Sequence, residues 1–397
     1  MIGQGAGALG WTGWVMVGLP VVLGAGVYGV YPVVLEILSR AVSGYRLPEG
    51  EPEEWPSITI LVPAYNEEAV IRDKLENVLS LEYPEERRQV LVVSDASTDR
   101  TDEIVLEYED RGVELVRLEG RGGKTAAENA AREHARGEIV VTSDATIRIL
   151  PGALKNLVRV FQDPTVGVAS GRDVSVPPGG EEAVNPGESG YVGYEMWVRS
   201  LETRLGGIVG ASGCFFGIRA DLFGTYVPEG LSRDFASALI ARLHGYRAVS
   251  VDDAPCLVPR TGSLTGEFRR KVRTMARGLE TLRAYGTLLS PSRYGRFALM
   301  LWVHKLGRWL VSLALPLALP GIVLVAAAAG VSWTLLAVLV LAGGGLAALG
   351  VWLSERGEAP EILASWGYLI LSAAAGVFAW GKALRGEKHA TWEPTRR

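Results

Sequence analysis

The sequence predicts an α/β domain with a Rossmann-like, mostly parallel sheet, joined to one N-terminal and about three C-terminal transmembrane helices. Short apolar runs typical of buried strands alternate with segments of helical periodicity. Uncharged stretches at both ends of the chain are long enough to cross a membrane. Between them, acidic and hydroxyl side chains follow three predicted strands, at the edge where open α/β sheets bind ligands.

Strands and helices alternate through the middle of the chain. The continuous apolar run at residues 58–62 predicts a strand that is buried on both faces, and residues 90–93, 113–118 and 139–141 predict three further strands. Apolar spacing predicts helices over residues 69–79, 98–108, 124–135 and 232–244. Thr98 or Asp99 is expected to cap the second helix, with acidic residues in its first turn. The alternation predicts a doubly wound parallel sheet.

Three stretches contain no charged residue at all. They cover residues 1–35, 309–354 and 362–381 of the 397-residue chain, of which 48% is hydrophobic. Because about 20 apolar residues cross a membrane, they predict one, two and one spans in turn. The first stretch is too long for a cleaved signal peptide and lacks its basic start. We therefore expect a multi-pass integral protein of the cell membrane.

The charges near the spans predict the orientation in the membrane. Arg40 and Arg46 follow the first span, so the positive-inside rule puts the middle domain in the cytoplasm. Three further spans would leave the C-terminal tail outside, although that tail is basic. A re-entrant segment, a helix lying flat over residues 297–308, or a break at Pro316 or Pro320 would explain the conflict. These alternatives stay open.

A strongly basic run precedes the second span, opposed only by Glu267 and Glu280. Its members are Arg260, Arg269, Arg270, Lys271, Arg273, Arg277, Arg283, Arg293 and Arg296. Because the run adjoins a span, an anionic membrane surface or a diphosphate is a better partner than nucleic acid. The sequence does not indicate an oligomeric state, and Cys214 and Cys256 are expected to be reduced, packed thiols.

These patterns divide the chain into five parts. We predict an N-terminal anchor over residues 1–50, an α/β domain over 51–260 and a basic amphipathic interface segment over 261–304. Transmembrane helices follow over 305–383, and a basic tail over 384–397.

The polar residues after the first two strands suit nucleotide binding. Proline fixes the turn after the first strand, and Glu67 can accept hydrogen bonds from ribose hydroxyls or base N–H groups. Asn66 and Glu67 are equally suited to capping the next helix. Asp95, after the second strand, is likewise suited to an Asx turn.

Together these motifs resemble the family 2 glycosyltransferases, which have the GT-A fold. The order and spacing are most similar to the membrane-embedded polysaccharide synthases, such as the cellulose, chitin, hyaluronan and poly-N-acetylglucosamine synthases, and to their non-processive relatives. The resemblance runs from Ile58 to the tail motif Thr391-Trp392-Glu393-Pro394. It implies a nucleotide-diphosphate sugar as donor, with UDP preferred.

The resemblance also implies roles for individual residues on the donor side. Glu67 and the turn before it would hold the base and ribose, Asp95 the nucleobase, and Lys124 the diphosphate. A solvated lysine at a helix start is the other interpretation of Lys124. The implied donor-binding residues are Pro63, Ala64, Tyr65, Glu67, Asp95, Lys124, Asn129, Asp144, Arg273 and Arg277.

Asp144-Ala145-Thr146 occupies the place of the family's DxD metal motif, with threonine instead of the second acid. The resemblance implies Mg²⁺ or Mn²⁺ at Asp144 and Thr146. A hard divalent cation on a diphosphate needs only one or two carboxylates, since phosphate oxygens and waters complete its shell. Weaker metal affinity or a metal-poor mechanism is consistent with the substitution.

On the acceptor side, Asp234 matches the family's catalytic base. An inverting transfer needs a carboxylate that takes the proton of the acceptor hydroxyl. Without the resemblance, a salt-bridged Asp234 within a helix is favoured. Arg233 stands where the family often has another acid. Gly213 and Cys214 resemble the acceptor platform, although a buried tight turn explains them equally well.

These features favour a membrane-bound inverting glycosyltransferase that moves a sugar to a lipid-linked or saccharide acceptor. A processive polysaccharide synthase is the alternative, but glutamine and tryptophan of its QxxRW motif are absent from residues 270–274. A catalytically weak membrane protein that binds nucleotide sugars is the third hypothesis.

Overall fold

The computed structural model describes residues 2–42, 44–176, 186–259, 264–356 and 358–387. The motif at residues 391–394, Arg260 of the basic run and most of the predicted basic tail lie outside the described residues.

An eight-stranded mixed sheet forms the centre of the middle domain. Its order is β3-β2-β1-β4-β7-β6-β8-β5. β3, β2, β1 and β4 are parallel, whereas β7 lies antiparallel between β4 and β6. The strands are β1 Ile58–Ala64, β2 Arg88–Ser94, β3 Val113–Arg117, β4 Ile139–Ser143, β5 Arg148–Ile149, β6 Val166–Val176, β7 Phe215–Arg219 and β8 Arg247–Pro259.

Helices cover both faces of the sheet, as the alternating pattern predicts. Those of the middle domain are α3 Ile71–Leu79, α4 Thr101–Leu106, α5 Lys124–Ala130, α6 Ala153–Arg159, α7 Pro186–Arg204, α8 Ala220–Phe223 and α9 Arg233–Leu243. Asp99 Oδ1 accepts the Thr101 N–H at 3.0 Å, but the N-cap of α4 is Arg100 rather than the predicted Thr98 or Asp99.

Alternate side chains of each central strand enter two separate cores. Ile60 and Val62 pack on one face of the sheet with Leu75 of α3. Leu61, between them, packs on the other face with Ala127 of α5. This alternation follows from the two-residue side-chain period of a strand, and burial on both faces explains the continuous apolar runs. The central strands that lead to the candidate site are therefore covered on both faces.

Among the described residues, four helical segments are long and apolar enough to span a membrane, one N-terminal and three C-terminal, as predicted. They are Ala8–Ala41, Arg296–Ala328, Trp333–Ser354 and Glu361–Arg385. The second contains Pro316 in a short 3₁₀ turn, Leu315–Leu317, between two α-helical parts. The helices outside the middle domain are α1 Ile2–Gly24, α2 Tyr31–Ala41, α10 Leu264–Ala284, α11 Pro291–Tyr294, α12 Arg296–Met300, α13 Arg308–Ala314, α14 Ala318–Ala328, α15 Trp333–Ser354 and α16 Glu361–Arg385.

A third apolar core joins the candidate spans to the middle domain. Leu35 of α2 and Leu301 of the second span pack there against Leu201 of α7. Phe235 of α9 belongs to the same core. The helix that carries the predicted base is therefore packed directly against the membrane-spanning part of the chain.

Candidate active site

The first two strand ends form one continuous surface. Ala64 lies opposite Ser94 in the parallel register, and the Asp95 N–H donates to the Ala64 carbonyl at 2.8 Å. Asn66 then turns with a φ of 52°, a left-handed conformation that asparagine tolerates better than most residues. Its side chain accepts the Thr98 N–H at 2.8 Å, which ties the two turns together.

Glu67 and Tyr65 lie at this surface with different environments. Glu67 is buried, its N–H donates to Thr101 Oγ1 at 2.8 Å, and its carbonyl accepts from Val70 and Ile71. The Arg121 guanidinium lies 4.0 Å from the centre of the Tyr65 ring. The backbone of Glu67 thus starts α3, while its side chain stands beside the turn predicted to hold the nucleoside.

Asp95 holds the glycine turn that leads to Lys124. Its Oδ1 accepts the Gly122 N–H at 2.7 Å, and its Oδ2 accepts the Gly123 N–H at 2.8 Å. Gly123 has a φ of 90°, which favours glycine. This fully buried carboxylate therefore shapes a loop, and its predicted contact with the nucleobase stays a prediction.

Lys124 connects the donor side of the site with the acceptor side. Its Nζ donates to Asp144 Oδ1 at 2.5 Å and to the Gly213 carbonyl at 2.8 Å. Burial alone would lower the pKa of Lys124, but the nearby carboxylates, above all Asp144, raise it above its usual value. The lysine therefore stays charged at neutral pH.

Asp144 and Thr146 follow β4, as the metal prediction requires. The Asp144 N–H donates to the Cys214 carbonyl at 3.3 Å, which places this turn against the predicted acceptor platform. Thr146 lies in the turn between β4 and β5. Within the described ranges, no three His, Cys, Asp or Glu side chains come together as a metal site. A cation held by Asp144 would therefore need further oxygen atoms from a bound substrate or water to complete its coordination shell.

Asp234 lies in the first turn of α9 and faces the platform. Ser232 Oγ donates to Asp234 Oδ1 at 2.5 Å. Asp234 Oδ2 lies 2.9 Å from the position that a Cβ would take at Gly213. Only glycine allows this close approach without displacing the carboxylate. Asp234, Gly213, Lys124 and Asp144 thus form one connected cluster.

Arg233 and Asn129 are directed away from that cluster. The buried Arg233 donates to Asn129 Oδ1 at 2.7 Å and to the Phe223 carbonyl at 2.6 Å. Burial lowers the pKa of Arg233 to about 10. Asn129 Nδ2 donates to the Val227 carbonyl at 2.6 Å. The two side chains hold the loop before α9, and their predicted ligand contacts stay predictions.

Arg277 links α10 to the site through hydrogen bonds. Its Nη2 donates to Thr125 Oγ1 at 2.7 Å and to the Leu231 carbonyl. Burial lowers the pKa of Arg277, although Asp234 opposes the shift. Arg273 lies about one turn earlier on the same helix. The interface helix therefore approaches both α5 and the loop that carries Asp234.

The sequence reasoning missed two buried charged residues beside the site. Glu128 of α5 is 1% exposed, and its Oε2 has no hydrogen-bond partner among the described residues. Lys74 of α3 is 2% exposed and donates to Ser143 Oγ at 2.7 Å and to the Ile147 carbonyl at 2.8 Å. Both could have been found from their positions on the apolar faces of their helices.

Comparison with known proteins matches residues 59–227 to the glycosyl transferase family 2 model. The matched segment contains all three strand-end motifs and the Gly213 platform. The chain carries a family 2 glycosyltransferase domain. This finding confirms the resemblance inferred from the motifs.

Two curated relatives align with this chain. The β-monoglucosyldiacylglycerol synthase of Nostoc sp. is 30% identical over 202 residues, which are 50% of this chain and 41% of the relative. The poly-β-1,6-N-acetyl-D-glucosamine synthase of Staphylococcus aureus is 27% identical over 278 residues, 65% of each protein. The chain thus spans less than two thirds of the length of these relatives.

A solved structure extends the similarity of fold along nearly the whole chain. The mannosyltransferase PcManGT from Pyrobaculum calidifontis, in complex with GDP-Man and Mn²⁺, superposes with a TM-score of 0.70 at 24% identity. The match covers 94% of this chain and 100% of the other. The fold is therefore GT-A, as predicted.

Proposed function

We propose that this chain is a membrane-bound inverting glycosyltransferase with a nucleotide-diphosphate sugar as donor and a lipid-linked or saccharide acceptor. The observation that carries the proposal is the Lys124 bridge from Asp144 to the Gly213 carbonyl, beside Asp234. In this proposal UDP is the preferred nucleotide, and the Glu67 and Asp95 turns bind its nucleoside. The predicted division of the chain into five parts and the cytoplasmic side of the domain belong to the same proposal.

The reaction requires one proton transfer and one displacement. Asp234 takes the proton of the acceptor hydroxyl as its oxygen attacks the anomeric carbon, opposite the departing diphosphate. Oδ1 of Asp234 already accepts from Ser232, so Oδ2, which faces Gly213, is the oxygen that we assign to the proton. Lys124 is positioned to stabilise negative charge that develops on the diphosphate.

A divalent cation, Mg²⁺ or Mn²⁺, belongs to this proposal. Asp144 would hold it, with Thr146 as a hydroxyl ligand or as a partner of a bound water. Such a cation neutralises charge on the leaving diphosphate when it is bound. Because Lys124 already contacts Asp144 Oδ1, cation and lysine would share the carboxylate. We therefore expect metal affinity to be weaker than with two carboxylates.

Transfer by the full chain in membranes tests the proposal. UDP and GDP sugars are supplied with Mg²⁺ or Mn²⁺, and Asp234→Asn is compared with the parent protein. The turnover rate should fall about 10²–10⁴-fold, since a general base contributes that much, while donor binding persists. Asp252→Asn, an exposed acid on β8, serves as the matched control. Equal turnover in Asp234→Asn and the parent would remove Asp234 from the base role.

A further inference from the structure

A cavity of about 530 Å³ lies between α10, the second span and α16, next to α7. Five potentially cationic side chains line it: Arg270, Lys271, His304, Lys305 and Arg308. Among the described residues, no carboxylate belongs to the lining. Each of the five pairs with a carboxylate that is not part of the lining. Glu267 pairs with Arg270 and Lys271. Glu195 pairs with Lys305 and Arg308, and both Glu195 and Glu202 contact His304. The charged groups that line the cavity are therefore the cationic members of these pairs.

Arg308 is the most informative residue of this lining. It is 7% exposed, and its Nη1 donates to Glu195 Oε2. Its Nε and Nη2 have no hydrogen-bond partner in the described part of the chain. These two nitrogens form one edge of the planar guanidinium and donate in parallel, which matches two oxygens of one phosphate. A buried donor pair without a partner costs free energy that a ligand would recover.

Glu195 holds Arg308 in this orientation. His304 also contacts Glu195, with its Nε2 3.0 Å from Oε1. Although burial alone would raise it, His304 and Arg308 hold the pKa of Glu195 well below its usual range. The carboxylate thus remains charged and fixes one end of the guanidinium, while Nε and Nη2 on the other edge are buried without a hydrogen-bond partner among the described residues.

Further polar groups approach the same space from other helices. Ser372 Oγ of α16 is buried without a hydrogen-bond partner within the described residues. Lys271 Nζ of α10 lies 4.7 Å from the centre of the Tyr368 ring and 5.2 Å from that of Tyr191. The cavity therefore offers a hydroxyl, an ammonium and a guanidinium edge to a single ligand, as phosphate recognition requires.

The opposite part of the lining is apolar and belongs to the membrane-spanning segments. Val311 and Leu315 line the cavity from the second span, and Leu369 and Ala373 from the last one. A free ion makes no favourable contact with these apolar side chains, whereas burial of a hydrocarbon chain against them is favourable. The combined chemistry is that of an amphiphile with a phosphate headgroup and an acyl or prenyl chain.

The cavity also adjoins the candidate active site. Lys305 lines it, and its Nζ lies 5.5 Å from the centre of the Phe235 ring. Trp309 lines it as well and packs edge-on against Phe235, with ring centres 6.2 Å apart. Phe235 follows the predicted base Asp234 directly. A headgroup in the cavity would therefore stand one side chain away from α9.

We propose that this cavity binds the phosphate headgroup of a membrane lipid, through the Nε–Nη2 edge of Arg308, with its hydrocarbon chain between the second and fourth spans. That the bound lipid is the acceptor, or carries it, rests on the proposed function. The phosphate site itself does not depend on sugar transfer.

Native mass spectrometry of the full chain in detergent tests the site. Phosphatidylglycerol is compared with phosphate-free diacylglycerol and with inorganic phosphate. We expect binding of phosphatidylglycerol that Arg308→Gln weakens about 10- to 100-fold, because a charge-assisted pair of hydrogen bonds is lost. Ser372→Leu should weaken binding too, by filling the cavity without touching the Glu195 pair.

Controls separate this site from general attraction and from misfolding. Arg269→Gln removes an exposed charge of the same helix α10 outside the lining and should bind lipid like the parent. Each variant is also checked for its thermal midpoint and for UDP binding. Unchanged lipid affinity in Arg308→Gln and Ser372→Leu would overturn the proposal. So would equal binding of diacylglycerol, or binding of inorganic phosphate without the lipid.

The acceptor role is tested apart from the site. Asp234→Asn should bind phosphatidylglycerol normally while sugar transfer is lost. If lipid binding responds to Arg308→Gln but the parent transfers no sugar with any donor, the proposed function fails and the lipid site stands. If transfer to lipid is robust and insensitive to both cavity variants, the site proposal fails and the proposed function stands.

Discussion

The Lys124 ammonium lies 2.5 Å from Asp144 Oδ1, so the one carboxylate of the DxD-like motif is already paired with a cation. The same ammonium donates to the Gly213 carbonyl at 2.8 Å. Two features that the sequence separates, the metal motif and the acceptor platform, therefore share one positive charge. Any divalent cation at Asp144 must coexist with that charge or displace it.

Lys124→Met is expected to lower the maximal rate and to strengthen the binding of Mn²⁺. Removing the ammonium should lower the turnover rate about 10²–10³-fold, as loss of one charge-stabilising donor does. It should also lower the Mn²⁺ concentration for half-maximal rate, because Asp144 no longer shares its charge. Transfer rates measured across an Mn²⁺ titration check both effects.

Lys155→Met is the matched control for this titration. Lys155 lies on α6 and pairs with Glu51 at 3.7 Å, away from the Asp144 cluster. Both kinetic quantities should equal those of the parent. An Mn²⁺ requirement that is the same in Lys124→Met and the parent would contradict the shared-carboxylate interpretation.

Asp95→Asn is expected to destabilise the glycine turn as well as donor binding. Both Asp95 oxygens accept backbone N–H groups, so an amide NH₂ would face a second donor at Gly122 or Gly123. A buried donor left unsatisfied costs about 1–3 kcal/mol. Thermal denaturation should show a lower midpoint, and UDP titration a weaker affinity. Asp99, near the start of α4, is more exposed, so Asp99→Asn should lower the thermal midpoint and the UDP affinity less than Asp95→Asn does. An unchanged thermal midpoint in Asp95→Asn would refute the structural role of Asp95.

Local patterns predicted β1 to β4 and the helices between them, but not β5 to β8 or the order of the strands. Apolar runs predicted β1, β2 and β4, which are buried on both faces, whereas β3 lies at the sheet edge and only its Val113 is buried. No local pattern indicated that β7 would lie antiparallel between β4 and β6, since that placement depends on pairing of distant segments. The mixed sheet therefore became visible only in the structure.

The same distinction applies to the site. Each strand-end motif could be predicted from its own sequence, whereas their partners are remote. Lys124 lies 20 residues from Asp144 and 89 from Gly213, and Asp95 accepts from glycines 27 and 28 residues away. The buried Lys74 was nevertheless signalled locally. It shares the apolar face of α3 with Ile71, Leu75 and Val78.

Glu128 should make the protein less stable as pH rises from about 4.5 to about 7. Burial, opposed by Lys124, raises the pKa of Glu128 from 4.5 to about 7 in the folded state. In this window the folded state keeps a proton that the unfolded state has lost, so folding is favoured at the acidic end and the contribution is lost as pH approaches 7. Glu128→Gln should flatten this part of the profile of thermal midpoint against pH.

The control for Glu128 is a carboxylate of the same sequence region that is not buried. Glu133→Gln, in the 3₁₀ turn after α5, should leave the profile between pH 4.5 and 7 unchanged. If Glu128→Gln keeps the slope of the parent, another group must titrate in that window and the assignment to Glu128 is wrong.

Lys74 should act in the opposite direction above neutral pH. Burial lowers the pKa of Lys74 from 10.5 to about 7, although Asp144 opposes the shift. Between pH 7 and 10.5 the unfolded state binds a proton that the folded state does not, so stability should rise with pH in this window. Below pH 7 the folded protein bears the whole cost of a buried ammonium, which its hydrogen bonds to Ser143 and Ile147 only partly offset.

Lys74→Met tests this prediction with the full chain in detergent. The rise of the thermal midpoint between pH 7 and 9 should be reduced, because methionine fills a similar volume without a titrating group. The thermal midpoint at a fixed pH, unlike its slope against pH, shows the effect of the hydrogen bonds that Ser143 Oγ and the Ile147 carbonyl lose in this variant. Lys155→Met should retain the slope of the parent. A slope that survives in Lys74→Met would show that the buried lysine keeps its proton through this range, as it would if Asp144 outweighed burial.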